Sequence, residues 1–166
     1  MKHKKLLVAC LVLLVLIGGA IAWRMSTTVP FFLKHSDVFV FYTIKPSPMD
    51  WSNEKAERFR NHEVLGKVTI TDPSEKAALV DALFPNRNFK KVSLSFYACH
   101  SPRHAIRATR NGHVVEASIC FQCQNYIVYK DGAKILDDPM FDDSVAHGKS
   151  VFNQAVARHH LPLAKE

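Results

Sequence analysis

Ile106-Arg107-Ala108-Thr109-Arg110-Asn111-Gly112-His113-Val114-Val115-Glu116-Ala117 decides how this chain folds. Asn-Gly accepts positive φ at both central positions of a tight turn, the conformation that matches the twist of two antiparallel strands. Ile106 and Ala108 on one arm and Val115, Ala117 and Ile119 on the other alternate with polar residues, as half-buried strands do. A two-residue loop also sets the register. Arg110 faces His113, His104 faces Ile119 and Arg103 faces Cys120. Opposed residues share a side of the sheet, so His104 should lie with Ile119 while Cys120 lies with Arg103.

The same reading extends outward. Gln124 to Lys130 reads as a strand running into Asp131-Gly132, a second hairpin turn. Upstream, Asp37 to Ile44 is dense in β-branched and aromatic residues, and Val64, Gly66, Val68 and Ile70 alternate with polar ones. Val92, Leu94, Phe96 and Ala98 form another apolar strand face, and Met49 to Asn61 reads as a loop or short helix. Asp72-Pro73 with Glu75 three residues on resembles a capping box, and Leu79, Val80, Leu83 and Phe84 follow at helical spacing. Ser150 to His160 reads as a closing helix using Val151, Phe152, Ala155 and Val156. Strands and helices are mixed, without regular βαβ alternation. The expected class is α+β: an antiparallel sheet of about five to six strands with two or three helices on one face.

The first 24 residues form a separate N-terminal segment. Met1-Lys2-His3-Lys4-Lys5 is basic, and the 18 residues from Leu6 to Trp23 carry no charge. As a helix they span roughly 27 Å, close to the thickness of a bilayer core. Lysines before such a run stay in the cytoplasm, so the remainder is expected outside it. Two readings follow: a single-pass signal-anchor, favoured by Trp23-Arg24 at the exit, or a signal peptide cleaved near Ala22, with a secreted or periplasmic product. Residues 25–36 read as a juxtamembrane linker, with Pro30-Phe31-Phe32-Leu33 at the lipid surface, and 37–166 as one extracytoplasmic domain.

The net charge of +7 overstates the basicity of that domain. Lys2, Lys4, Lys5 and Arg24 supply four of the 22 basic residues, leaving 18 against 15 acidic ones. Without a Lys/Arg block or an aromatic-basic stripe, nucleic acid is not an expected partner. Nor is a nucleotide, because the chain has no phosphate-cradling glycine loop. The expected partners are the membrane, through the N-terminal helix, and another envelope protein.

Chemistry concentrates in Cys99-His100-Ser101-Pro102-Arg103-His104 and Ile119-Cys120-Phe121-Gln122-Cys123. Three thiols and an imidazole match a tetrahedral zinc site, so Cys99, His104, Cys120 and Cys123 are the candidate ligands, with His100 as the alternative imidazole. Sharing a metal between His104 and Cys120 requires the ladder to end or bulge near Pro102, which cannot donate to a ladder. The competing use is a disulfide. Residues 120 and 123 in an extended strand are roughly 10 Å apart, so their bridge needs a turn at Phe121-Gln122; Cys99 with either one is easier. A thiol oxidoreductase ranks last, because a redox Cys-x-x-Cys commonly opens a helix whose N-terminus stabilises the thiolate.

Arg103 and Arg107 read as solvated strand residues, and His159-His160 as partners of a helix C-terminal dipole. Asp137-Asp138 and Asp142-Asp143 read as an acidic solvated loop, lacking the Gly and Glu of a calcium loop. Trp51 reads as loop packing.

Cys99-x-x-Pro102-Arg103-His104-x-Ile106-Arg107 followed by Ile119-Cys120-Phe121-x-Cys123, with Val64-Leu65-Gly66-Lys67, resembles a group of uncharacterised bacterial exported proteins. The resemblance covers roughly the last 100 residues and implies an envelope location but no activity. Ser101 and Ala105 stand where that pattern often has asparagine and glycine, and His100 is additional. The function expected from the sequence is a membrane-anchored domain with a structural Cys/His zinc site used for binding or assembly. The alternatives are a disulfide-stabilised interaction domain and, further off, a thiol oxidoreductase. No catalytic residue is assigned.

Overall fold

A computed structural model describes residues 28–46, 56–84, 100–136 and 145–164. The N-terminal segment 1–24, Trp51, the strand expected over 92–98, Cys99 and the acidic stretch 137–143 lie outside the described residues. No helix among the described residues is long and apolar enough to cross a membrane.

The chain runs α1 (Val29–Lys34), β1 (Val38–Ile44), β2 (Arg58–Phe59), β3 (His62–Thr69), α2 (Pro73–Leu83), β4 (His104–Arg110), β5 (His113–Cys120), β6 (Asn125–Lys130), β7 (Ala133–Leu136) and α3 (Val145–Arg158). All seven strands join one sheet in the order β2-β3-β1-β4-β5-β6-β7, and every neighbouring pair is antiparallel. Asn111 and Gly112 have φ of 50° and 78°, and Asp131 and Gly132 have 49° and 86°. Both hairpins therefore close through the left-handed backbone that Asn-Gly and Asp-Gly accept most easily. The register matches the one the Asn-Gly loop imposes, from Arg110 opposite His113 to His104 opposite Ile119.

The α+β expectation is corrected: the described residues are mostly β, with a larger sheet and three short helices among them. An open sheet with helices on one face would leave its other face to water. Here β1 is buried on both. Phe39 and Phe41 join the main core with Leu79, Leu83, Ile106, Ile119 and Phe152. Tyr42 and Ile44 join a second cluster with Phe59 and Ala105. A bulge between Thr43 and Ile44 bends β1 where the second cluster forms.

What closes that second face is the sheet itself. Phe59, in the edge strand β2, is fully buried. Arg60, just beyond it at φ 54°, pairs with Glu116 of β5 at 2.5 Å and stacks 3.8 Å over the Tyr129 ring of β6. A residue beside one edge strand thus grips strands near the opposite edge, so the sheet is curled. Arg107 is accordingly no solvated strand residue. It donates through Nε to Glu116 at 2.8 Å and through Nη1 to the Tyr42 hydroxyl at 3.4 Å.

The helices pack on the main core. Asp72 caps α2 by accepting from the Ser74 N–H at 2.9 Å, which holds the Asp72 carboxyl below its ordinary range, the Ser74 backbone N–H being the main cause. Glu75 does not complete a capping box. It is buried and instead pairs with Arg158 at 2.9 Å and His159 at 3.1 Å, tying α2 to α3. The stretch read as lipid-facing linker contributes α1, whose Leu33 is fully buried in the main core and whose Lys34 reaches Asp81 of α2.

Candidate functional site at the Cys120–Cys123 turn

β5 ends at Cys120 and β6 begins at Asn125, which pair directly. The four residues between them turn the chain back, with Gln124 at φ 54°. That reversal brings the Cα atoms of Cys120 and Cys123 to 5.2 Å, and the two sulfurs are joined in a disulfide. The bridge is thus the one that needed a turn at Phe121-Gln122, and the cross-strand alternatives through Cys99 lie outside the described residues. The Cys123 N–H points at Cys120 Sγ at 3.0 Å and the Ser101 N–H at Cys123 Sγ at 3.4 Å. Cys120 and Cys123 are only 1% and 4% exposed, so an attacking thiolate has little access to either sulfur.

The two histidines fall on opposite sides of the sheet. His100 lies with Ser118 and Asn125, on the side to which the register assigns Cys120. One of its ring nitrogens is 2.7 Å from Asn125 Oδ1 and the other 2.9 Å from Ser118 Oγ. The amide oxygen can only accept, so Nδ1 donates to it, and the hydroxyl can serve Nε2 as donor or acceptor. His104 lies on the helix side. Its ring is surrounded by Phe41, Phe121 and Phe152 at centroid distances of 6.0, 5.5 and 5.7 Å. Past it, pairing with β1 continues in register, Arg103 O accepting from Ile44 N–H at 2.9 Å, whereas toward β5 the Arg103 N–H reaches Ile119 O, already opposite His104, at 3.3 Å. The β4–β5 ladder thus ends in an irregularity at Arg103-His104, as expected near Pro102, but it leaves the His104–Ile119 pair intact, so His104 and Cys120 still diverge.

Of the expected ligands, then, the structure joins Cys120 to Cys123, sets His104 on the other side, and commits His100 to Ser118 and Asn125. Among the described residues no three His, Cys, Asp or Glu side chains converge as a metal site.

His104 is 4% exposed, and neither ring nitrogen has a hydrogen-bond partner among the described residues. Burial pushes its pKa from 6.5 down to about 4, assisted by the positive charges of Arg103 and Lys149. The ring is neutral at physiological pH. It borders a cavity of about 300 Å³ whose other walls include Arg103, Phe121, Gln122, Lys149 and Leu163. Phe121 and Gln122 are the two residues inside the Cys-x-x-Cys turn, so the disulfide fixes one wall. Gly148 lets α3 approach that wall: a Cβ there would sit 3.0 Å from the Phe121 ring and 3.2 Å from Ala82 O.

Sequence reasoning missed Lys149 because it starts the closing helix at Ser150, whereas α3 begins at Val145. With the longer helix, Lys149 and Asn153 are four residues apart on one face, and both line the cavity. No protein-family model matches the chain, and no curated protein or solved structure is similar to it.

Proposed function

We propose that this chain is an interaction domain of the cell envelope, carried outside the cytoplasm by its N-terminal apolar helix and stabilised by the Cys120–Cys123 disulfide without a metal. The observation that carries the reading is the closed bridge between two buried cysteines. Disulfides persist in oxidising compartments and are rare in a reducing cytosol, in keeping with the basic-then-apolar order of residues 1–24. Burial of both sulfurs favours a structural bridge over an exchanging one, and the turn between two strands supplies no helix N-terminus to stabilise a thiolate.

Thiol and metal counting on the full chain tests this. The protein is purified from membranes without reductant, alkylated in denaturant before and after reduction, and mapped by mass spectrometry. The expected result is Cys10 and Cys99 labelled before reduction, and Cys120 and Cys123 only afterwards. One zinc per chain, lost on Cys120→Ser, would overturn the proposal in favour of a zinc module using Cys99, Cys120, Cys123 and one of His100 or His104. Labelling of all four cysteines before reduction, without zinc, would overturn both.

A further inference from the structure

We propose that the end of the sheet formed by the Asn111-Gly112 and Asp131-Gly132 turns is held against the lipid headgroups of the membrane that anchors the chain, with the Cys120–Cys123 turn directed away from it. The partner is a phospholipid bilayer surface. This rests on the reading of the N-terminal apolar segment as an anchor that the protein retains.

Three observations converge. The first is where the chain enters the domain. α1 starts at Val29, six peptide links after Trp23, the last residue of the apolar run. Fully extended, such a link reaches about 20 Å. α1 is itself fixed to the domain. Leu33 is buried in the main core, Lys34 reaches Asp81, and the Ser36 hydroxyl donates to Leu33 O at 2.9 Å.

The second is which end of the sheet lies beside that entry. The guanidinium of Arg110, the residue before the Asn111-Gly112 turn, sits 5.0 Å from the centre of the Phe31 ring. Just after α1, the Asp37 N–H donates to Thr109 O at 2.8 Å, and the Asp37 carboxylate accepts from the Asn111 N–H at 3.0 Å. The second turn is at the same end, because the Asp131 N–H reaches Val114 O and the Asp131 carboxylate accepts from the Val114 N–H, both at 2.8 Å. From here β5 runs eight residues to Cys120, about 25 Å at the usual rise of a strand. With the far end on the bilayer, α1 would stand about that distance away, beyond the reach of the link.

The third is the surface this end presents. Val38, Ile135 and Leu163 are the large apolar side chains left exposed among the described residues. Val38 pairs with Thr109, and Ile135 follows the Asp131-Gly132 turn by three residues, so two of the three belong to this end. At 46% and 43% exposed, they offer apolar contact to the boundary between headgroups and acyl chains. Arg110, laid over Phe31, is a cation on an apolar stem of the kind that suits that boundary. Asp37 and Asp131 share the end, so it is mixed in charge and does not call for anionic lipid.

The test is amide NMR of the full chain in phosphatidylcholine nanodiscs containing a lipid spin-labelled at the headgroup. Signals of Gly112, His113 and Gly132 should be lost, and those of Gln122 and Gln124 retained. A chain lengthened by about ten Gly/Ser residues between Arg24 and Met25 should recover much of the lost signal, because a longer flexible link lowers the effective concentration of this end at the bilayer. Equal losses along β5 from His113 to Cys120, or stronger losses at Gln122 and Gln124, overturn the proposal. So do unchanged losses in the lengthened chain, since the link would then not be what holds this end in place. Intact mass separates the two ways of failing. A chain cleaved near Ala22 and free of the disc removes the anchor reading and this proposal together, whereas an intact, disc-bound chain with the wrong pattern of losses removes this proposal alone.

Discussion

His104 stands directly opposite Ile119 across the β4–β5 ladder, and that single pairing separates the imidazole from the disulfide. Ile119 points into the main core beneath the helices, so His104 points there as well. Cys120, the next residue along β5, must point the other way. The histidine that sequence spacing offered as a ligand is instead a neutral ring in an aromatic box, beside a cavity.

That burial makes stability depend on pH. The folded pKa of His104 lies near 4, below the ordinary 6.5, so between these values the unfolded chain binds a proton that the native chain does not. Stability then rises with pH across this window and falls on acidification. The contribution reaches about 3 kcal/mol at its limit. Denaturant unfolding at pH 7 and pH 4.5 should show the loss, and His104→Leu should remove most of it. Phe41, Phe121 and Phe152 pack around the ring without charge, and the positive charges of Arg103 and Lys149 add to the effect of burial. An equal acid slope in His104→Leu would rule this out.

Opening the disulfide should weaken the fold without abolishing it. The bridge closes a loop across a sequence separation of three, for which chain entropy gives about 2 kcal/mol. The Cys120→Ser/Cys123→Ser double variant is expected to lose that much in a denaturant melt and to keep its far-ultraviolet dichroism. Complete unfolding at 25 °C would mean that the bridge holds more than its own turn.

Glu116 should matter more than an ordinary surface acid. Its side chain is 12% exposed between Arg60 and Arg107. Glu116→Gln leaves two half-buried guanidinium groups facing a neutral amide, at a cost of about 1–3 kcal/mol. The loss should concentrate in β2, with faster amide exchange at Phe59 and little change in the β4–β5 hairpin. Uniform loss of protection would mean that Arg60 does not clasp the curl.

Gly66 is the position where β3 meets the segment after α3. A Cβ there would lie 2.7 Å from Pro162 Cδ, closer than packed atoms tolerate. Gly66→Ala should therefore destabilise by about 1–3 kcal/mol, and Pro162→Ala should relieve much of that in a double-mutant cycle. Additive losses would show that the two residues do not touch in solution.

The hairpins were legible because their cause is local. Asn111-Gly112 and Asp131-Gly132 carry their preference for positive φ wherever they stand, and a two-residue loop leaves one register. The α2 start was legible for the same reason, since Asp72 and Pro73 act within a single turn. Glu75 shows the limit. Its spacing from Asp72 suits a capping box, yet Arg158 and His159, over eighty residues away, compete for the carboxylate and win.

What the amino-acid order alone determined was the strand-turn-strand framework, the capped helix, and the opposite sides that an unbroken ladder gives His104 and Cys120. All of these follow from backbone preference and the two-residue period of a strand. Only the tertiary structure decided that the sheet curls until Arg60 reaches Glu116 and Tyr129, making the described residues mostly β where an open α+β layer was expected. It alone decided that Cys120 pairs with Cys123, because the turn between them needs Gln124 at positive φ, which no sequence rule demands of glutamine. It also decided that Lys149, Arg103 and His104 share a cavity. Those relationships join segments distant in sequence, and their energies arise from burial and charge, quantities that do not exist until the chain has closed.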